Sequence, residues 1–208
     1  MSVSGNYDNM WVKPRKLQVC LSDRMKYFGS LEGYIDFLND FVSYCGESIE
    51  TAIDMGSGVA IPTISLVDQG VISSLDLLDK HAANLEVNRG IINDNYPHLK
   101  DKIGFIAADL YDDFFCEKQY DLVLALTVAA KSELKPNSRK IENVCSSVKP
   151  GGYLLMSVPL KANGNIFDLN TKITTFDLIN NLMEHYDIDW YKSCHNDIEI
   201  WCLGQKCV

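Results

Sequence analysis

Residues 51–66 read TAIDMGSGVAIPTISL. An apolar run ends at Met55, and Gly56, Ser57 and Gly58 follow at once. Pro62 then opens a segment of helical character, where a missing N–H costs nothing. Asp54 stands two residues before the first glycine. Two readings fit such a strand–glycine–helix passage. One is a tight structural turn. The other is a cradle that brings backbone close to a ligand, because glycine carries no side chain and a helix N-terminus has unused N–H groups. The flanking sequence decides between them.

Upstream, IETAIDM (49–55) has the short apolar character of a strand. Before it, residues 31–45 place Leu31, Tyr34, Ile35, Leu38, Phe41 and Val42 at helical spacing, with acids on the other face. Downstream, AIPTISLVDQG reads as a helix that stops at Gly70. VISSLDLL (71–78) is a second strand, and DKHAANLEVNRGIINDN is a second helix. KIGFIAADL is a third strand, and YDLVLAL (120–126) is a fourth, apolar enough for a buried parallel strand. SRKIENVCSSV is helical. KPGG predicts a sharp turn into the fifth strand, YLLMSVPL. TTFDLINNLMEHY (174–186) predicts a helix capped by Thr174 or Thr175. DIDWYKSC and DIEIWCLGQK close the chain as two strands joined by a short turn, which makes them antiparallel. Five strand–helix alternations with a final hairpin predict an α/β doubly wound sheet of seven strands, mostly parallel, with helices on both faces. The expected division is an N-terminal helical segment over 1–47 and a single α/β domain over 48–208.

Composition agrees with one globular domain. The chain has 208 residues, 47% of them apolar and 23% charged. Its formal net charge is −9, so a broad nucleic-acid-binding face is not expected. The short basic stretch Lys13, Arg15, Lys16 reads as a solvated arm. Seven cysteines, an odd number with no CxxC pair, suit a reducing compartment and predict no metal site. No leader-like segment and no membrane-length apolar run is present, so a cytoplasmic protein is expected.

In a doubly wound sheet, ligands gather at the C-terminal strand ends where the strand order reverses, and the glycine turn lies there. A dinucleotide fingerprint needs a third glycine, but Val59, Ala60 and Ile61 follow Gly58. An acid at position 54 would repel a pyrophosphate, and it suits a ligand bearing an ammonium group.

AIDMGSGVA resembles the first motif of the class I S-adenosylmethionine-dependent methyltransferases, with Ala60 where many members carry a third glycine. Asp76 in SSLDLLD, Asp109 in IAADLYD, Asp121 opening YDLVLAL, and VKPGGYLLMS resemble further motifs of that family in the same order. The closing antiparallel pair belongs to its Rossmann-like fold, and the resemblance covers residues 48–207. It implies S-adenosylmethionine as cofactor, with Asp54 at the methionine end and Gly56, Ser57 and Gly58 against it. It places Asp76 on the ribose hydroxyls, with Asp79 next in line, and Leu77 against the adenine. Asp109 and Leu110 would hold the adenine edge, and Leu126 and Thr127 would lie near the methyl group. His81 reads either as an adenine neighbour or as an exposed helix residue, and Asp121 as a structural residue.

The methyl acceptor is less determined. The segment after the fourth strand, ALTVAAKSELKP, carries no Asn-Pro-Pro-Tyr and no Asp-x-x-Tyr motif, so no catalytic residue is transferable. The first motif, LEVNRG and the C-terminal strand resemble the nicotinamide and phenylethanolamine N-methyltransferases, although Ala129-Ala130 replace the acid expected there. The same half also resembles the seven-strand protein-lysine methyltransferases. A small-molecule acceptor is the expectation. Tyr7, Trp11, Tyr27 and Phe28 are read as a lid over the site, with core packing as the competing reading. A protein substrate, or a non-catalytic subunit that activates a partner, stays open. Lys131 and Glu133 are expected near the pocket mouth as solvent-facing charges.

Overall fold

A computed structural model describes residues 28–46, 49–111, 118–126, 128–129, 133–159, 161–162, 165–166, 169–195 and 199–208. Helix α1 (Leu31–Ser43) begins where the Ser30 hydroxyl accepts the Gly33 amide at 3.0 Å. Its Tyr34, Leu38, Phe41 and Val42 form one buried face. Strand β1 (Ile49–Met55) leads through the glycine turn into α2 (Ile61–Asp68). Strand β2 (Ile72–Asp79), α3 (Ala82–Asn95), a 3-10 turn at Pro97–Leu99 and β3 (Ile103–Ala107) follow. Strand β4 (Tyr120–Leu126), α4 (Arg139–Ser146) and β5 (Val148–Pro159) complete the parallel part. The two-residue strands β6 (Lys161–Ala162) and β7 (Asn165–Ile166) pair with each other. Helix α5 (Leu169–His185) then leads to the closing pair β8 (Ile188–His195) and β9 (Glu199–Lys206).

The main sheet has seven strands in the order β3-β2-β1-β4-β5-β9-β8. Strands β1 to β5 are parallel, and β9 and β8 are antiparallel. The doubly wound α/β sheet expected from the sequence is therefore present. From β1 the chain winds outward to β3, then returns to the other side of β1 for β4. The order reverses between β1 and β4, and the glycine turn sits on that seam.

The two sheet faces carry separate apolar cores. On one, α1, α2 and α3 pack over Ala52, Leu75, Leu77, Leu122, Leu124 and Trp201. On the other, α4 and α5 cover Ile53, Met55, Val123, Met156, Ile200 and Cys202. Phe28 belongs to the first core: its ring stacks on Tyr34 at 4.9 Å, touches Phe37 at 4.7 Å and meets Trp201 edge-on at 6.3 Å. It is a packing residue and not part of a cover over the site. The other aromatics read as a lid, Tyr7, Trp11 and Tyr27, lie outside the described residues.

Two boundaries differ from expectation. Helix α5 starts at Leu169 rather than Thr174, and Thr175 is buried within it rather than capping it. KPGG lies inside β5, where Gly151 takes φ +76 and the pairing with β4 slips between Tyr120–Val148 and Leu122–Tyr153. A bulge absorbs the turn chemistry of Pro150 and the glycines without ending the strand. At the N-terminal strand ends, Asp121 accepts the Thr51 amide at 2.8 Å, the Thr51 hydroxyl at 2.7 Å and Lys149 Nζ at 2.9 Å. It ties β1, β4 and β5 together, far from the glycine turn, as the structural residue expected there.

Candidate functional site

The site grows from the end of β1. Gly56 and Gly58 take φ +72 and +53, a region that costs an L-residue with a side chain about 1–2 kcal/mol. Gly56 is bounded sterically as well: a Cβ there would stand 2.7 Å from Val128 Cγ1. The turn needs glycine for its backbone and for the close approach of the segment after β4.

Asp54 and Thr63 form the floor. Thr63 lies in the first turn of α2, and helix side chains lean back toward the N-terminus. Its hydroxyl donates to Asp54 Oδ2 at 2.8 Å, and both residues are buried. Asp54, Gly56, Ser57, Ala60, Thr63 and Leu126, with Tyr34 from α1, line a pocket of about 40 Å³. That is room for one small polar group, not for a nucleoside. The Ser57 Oγ is buried with no partner, a hydroxyl left open toward such a group.

The second acid differs from expectation. Asp76 does not end β2; it lies three residues short of the end, paired in register with Ile53 and Gly104. Its carboxylate rests on Gly104, where no side chain would fit, and accepts Tyr120 Oη at 2.8 Å and Lys118 Nζ at 2.5 Å. Burial and this carboxylate push the Tyr120 phenol well above its ordinary range. Asp76 is thus a structural ion-pair residue on the face opposite the pocket. Leu77, expected against an adenine, is wholly buried in the first core.

Asp79 holds the strand end. Its Oδ2 accepts the Gly58 amide and Asn84 Nδ2, each at 2.9 Å, and its Oδ1 accepts the His81 amide at 2.7 Å. One carboxylate so fastens the glycine turn to the start of α3. His81 is the N-cap residue of that helix and is exposed. A carboxylate offers about four acceptor positions, so three are taken and one remains.

Asp109 lies just past β3, accepts the Tyr111 amide at 3.1 Å and stands 3.7 Å from Lys80 Nζ. Leu110 turns away into the second core, and its carbonyl accepts Asn143 Nδ2 at 2.8 Å. Leu126 ends β4 at the pocket wall. Thr127 and Lys131 lie outside the described residues. Glu133 is not a free surface charge: it pairs with Lys140 at 2.7 Å and accepts the Tyr111 hydroxyl.

The donors of the turn say what it can hold. The Gly56 and Ser57 amides both donate to the Leu78 carbonyl at 2.8 Å, and Gly58 donates to Asp79. The Ala60 amide donates to Asn88 Oδ1 at 3.0 Å, while Asn88 Nδ2 returns a bond to the Gly58 carbonyl at 2.8 Å. Pro62 has no N–H. A pyrophosphate needs several such amides together, and the four at Gly56, Ser57, Gly58 and Ala60 are already engaged. A buried carboxylate, a hydroxyl and a remaining acceptor position on Asp79 fit a ligand with an ammonium and hydroxyl groups instead, which is the chemistry of S-adenosylmethionine.

Asn88, Thr63 and Tyr34 were missed at the sequence level. Asn88 had a readable sign: it interrupts the apolar face formed by Leu85 and Ile92, and a polar residue there needs a partner. Thr63 and Tyr34 had none, because their roles depend on which elements become neighbours.

No family model matches the sequence, and no curated protein sequence matches it. Solved structures do match the fold. The N-methyltransferase NodS from Bradyrhizobium japonicum WM9, in complex with S-adenosyl-L-homocysteine, aligns with a TM-score of 0.62 over 96% of this chain and 95% of its own, at 14% identity. An S-adenosylmethionine-dependent methyltransferase from Clostridium acetobutylicum aligns at 0.63, with 84% and 91% covered and 10% identity. The [4+2]-cyclase SpnF aligns at 0.62, with 83% and 82% covered and 12% identity. At such identities the likeness establishes a Rossmann-like methyltransferase fold, and the cyclase shows that this fold hosts more than one chemistry. None of these three carries the finer resemblance to the nicotinamide and phenylethanolamine enzymes.

Proposed function

We propose that the chain is an S-adenosylmethionine-dependent methyltransferase acting on a small-molecule amine or a similar acceptor. The observation that carries the reading is the set Asp54, Gly56–Gly58 and Asp79, gathered at the seam where the strand order reverses, in a turn whose Gly56, Ser57, Gly58 and Ala60 amides already have acceptors. S-adenosylmethionine supplies, when bound, a methyl group already activated on a sulfonium. The protein's part is then to bind, orient and exclude water.

In this reading Asp54, held by Thr63, receives the ammonium end, and Ser57 offers its hydroxyl beside it. Asp79, rather than Asp76, receives the ribose hydroxyls through its remaining acceptor position. Asp109 stands on the adenine side. Leu126 and Tyr34 wall the methyl side, and a wall contributed by α1 favours a small acceptor over a protein surface.

One observation favours a second reading, a non-catalytic partner subunit. Among the described residues after β4, Ala129 is buried and Glu133 is committed to Lys140, so that stretch brings no uncommitted acid or base to the pocket. Methyl transfer from a sulfonium depends chiefly on positioning, so this does not outweigh the cofactor geometry.

Calorimetry and thermal melting test the proposal. S-adenosylmethionine and S-adenosylhomocysteine should bind and raise the melting temperature, and NAD should do neither. Stabilisation by NAD alone would refute the reading of Asp54. Binding without turnover in a screen of amines, proteins and RNA would favour the partner subunit, and turnover of a protein alone would move the acceptor class.

A further inference from the structure

Helix α4 touches the site only indirectly, yet two of its residues, one turn apart, each hold a loop that borders it. Asn143 is fully buried, and its Nδ2 donates to the Leu110 carbonyl in the loop after β3 at 2.8 Å. Lys140 Nζ donates to the Val128 carbonyl after β4 at 2.9 Å and to Glu133 Oε1 at 2.7 Å. It also lies 4.7 Å from the centre of the Tyr111 ring, and the Tyr111 hydroxyl closes the circuit onto Glu133. The Lys140 side chain is 13% exposed. Burial by itself would lower its pKa, but Glu133 and Tyr111 more than offset this, and the net shift is upward. The ammonium therefore stays charged in neutral solution, as three simultaneous partners require.

Val128 makes this more than a surface clasp. Its Cγ1 occupies the space beside Gly56 that a Cβ would need. The carbonyl that Lys140 holds and the methyl that flanks Gly56 belong to one residue. A shift of that carbonyl moves the wall of the glycine turn.

We infer that Lys140 is a positioning residue that clamps Val128 against Gly56, so that α4 sets the width of the cofactor cleft between the ends of β1 and β4. The inference rests on the cofactor reading above for its effect on binding, but the clamp itself is a matter of geometry. Lys140 does not line the pocket beside the glycine turn; it acts through Val128. Glu133 and Tyr111 hold the ammonium in place, because a charge this buried needs compensation.

The test uses the full-length chain and three variants. Lys140→Met keeps the stem and removes the charge. Lys140→Met/Glu133→Gln removes both charges, so that no uncompensated carboxylate is left to unfold the protein. Lys140→Arg keeps a charge with several donors. Two quantities are read. One is the nuclear Overhauser contact between a Val128 methyl and the Gly56 α-protons. The other is calorimetric affinity for S-adenosylhomocysteine. The contact should be present in the parent and in Lys140→Arg, and weakened or lost in Lys140→Met and in the double variant. Affinity should fall at least fivefold in those two and stay within twofold of the parent in Lys140→Arg. A persistent Val128–Gly56 contact in a folded double variant overturns the clamp. So does unchanged affinity in that variant when the parent binds. If the parent shows no binding, the cofactor reading is overturned, and the nuclear Overhauser contact alone still decides the clamp.

Discussion

Replacing Asp79 by Asn removes one charge and almost no volume, at a residue 5% exposed. The amide oxygen can turn toward Gly58 and Asn84, which the carboxylate serves through Oδ2 at 2.9 Å. The amide NH2 then faces the His81 N–H, which Oδ1 accepts at 2.7 Å in the parent. One charge-assisted hydrogen bond is lost and two are weakened, for about 1.5–3 kcal/mol. In a chain of this size that lowers the melting temperature by roughly 3–12 °C. The same substitution removes the charged acceptor proposed for the ribose, so affinity for S-adenosylhomocysteine should fall tenfold or more, since about 1.4 kcal/mol is one decade. Differential scanning fluorimetry and calorimetry on the parent, Asp79→Asn and Asp76→Asn measure both effects. Asp76→Asn should lower the melting temperature through Lys118 and Tyr120 and leave affinity within twofold. The reverse pattern, with binding lost in Asp76→Asn and kept in Asp79→Asn, would refute the assignment.

Two further outcomes come from the geometry. Gly56→Ala combines a left-handed backbone, worth about 1–2 kcal/mol, with a methyl placed against Val128; thermal melting should show a fall of at least ~2 °C, and calorimetry a loss of cofactor affinity. Asp121 is subject to burial, which raises its pKa, but the Thr51 and Lys149 hydrogen bonds win and hold it below the ordinary carboxylate value. Its contribution to stability is full above about pH 4, where an unfolded Asp is ionised, and is lost as pH falls through the depressed folded value. The acid side of a melting-temperature profile should therefore flatten in Asp121→Asn, and an unchanged acid limb would refute the role given to this carboxylate.

Much of the sheet was readable because its strands are bounded by unlike residues. IETAIDM and YDLVLAL coincide with β1 and β4, each an apolar run with an abrupt polar or glycine neighbour. The end of β2 was not readable in the same way. LDLLD holds two acids three residues apart, and hydropathy does not say which one closes the strand. Alternation places Leu75 and Leu77 on one face and Asp76 on the other. A charge on that face looks foreign to a buried strand until Gly104, in the neighbouring strand, is seen to leave it room. Register against β1 and β3 decides the matter, and register is a property of the assembled sheet. The start of α5 failed for a related reason: the threonines at 174 and 175 look like caps, but the helix runs through them. Glu133 looked solvent-facing because Lys140 and Tyr111, its partners, lie 7 and 22 positions away in sequence.

The engaged amides of the glycine turn bear on competition inside a cell. ATP and NAD share their adenosine with S-adenosylmethionine, so pocket shape around base and sugar rejects neither. The three ligands differ in the group attached to the far side of the sugar. Here Asp54 is joined by a second obstacle to phosphate, because Leu78, Asp79 and Asn88 have already claimed the N–H groups of Gly56, Ser57, Gly58 and Ala60. A visiting nucleotide would have to break those bonds before forming its own. Restoring a third glycine by Ala60→Gly would leave this refusal intact, since the amide at position 60 would still belong to Asn88. Side-chain drift at positions 57, 59 and 60 leaves these four bonds in place, whereas a change at Asp79 or Asn88 would free the Gly58 or the Ala60 amide.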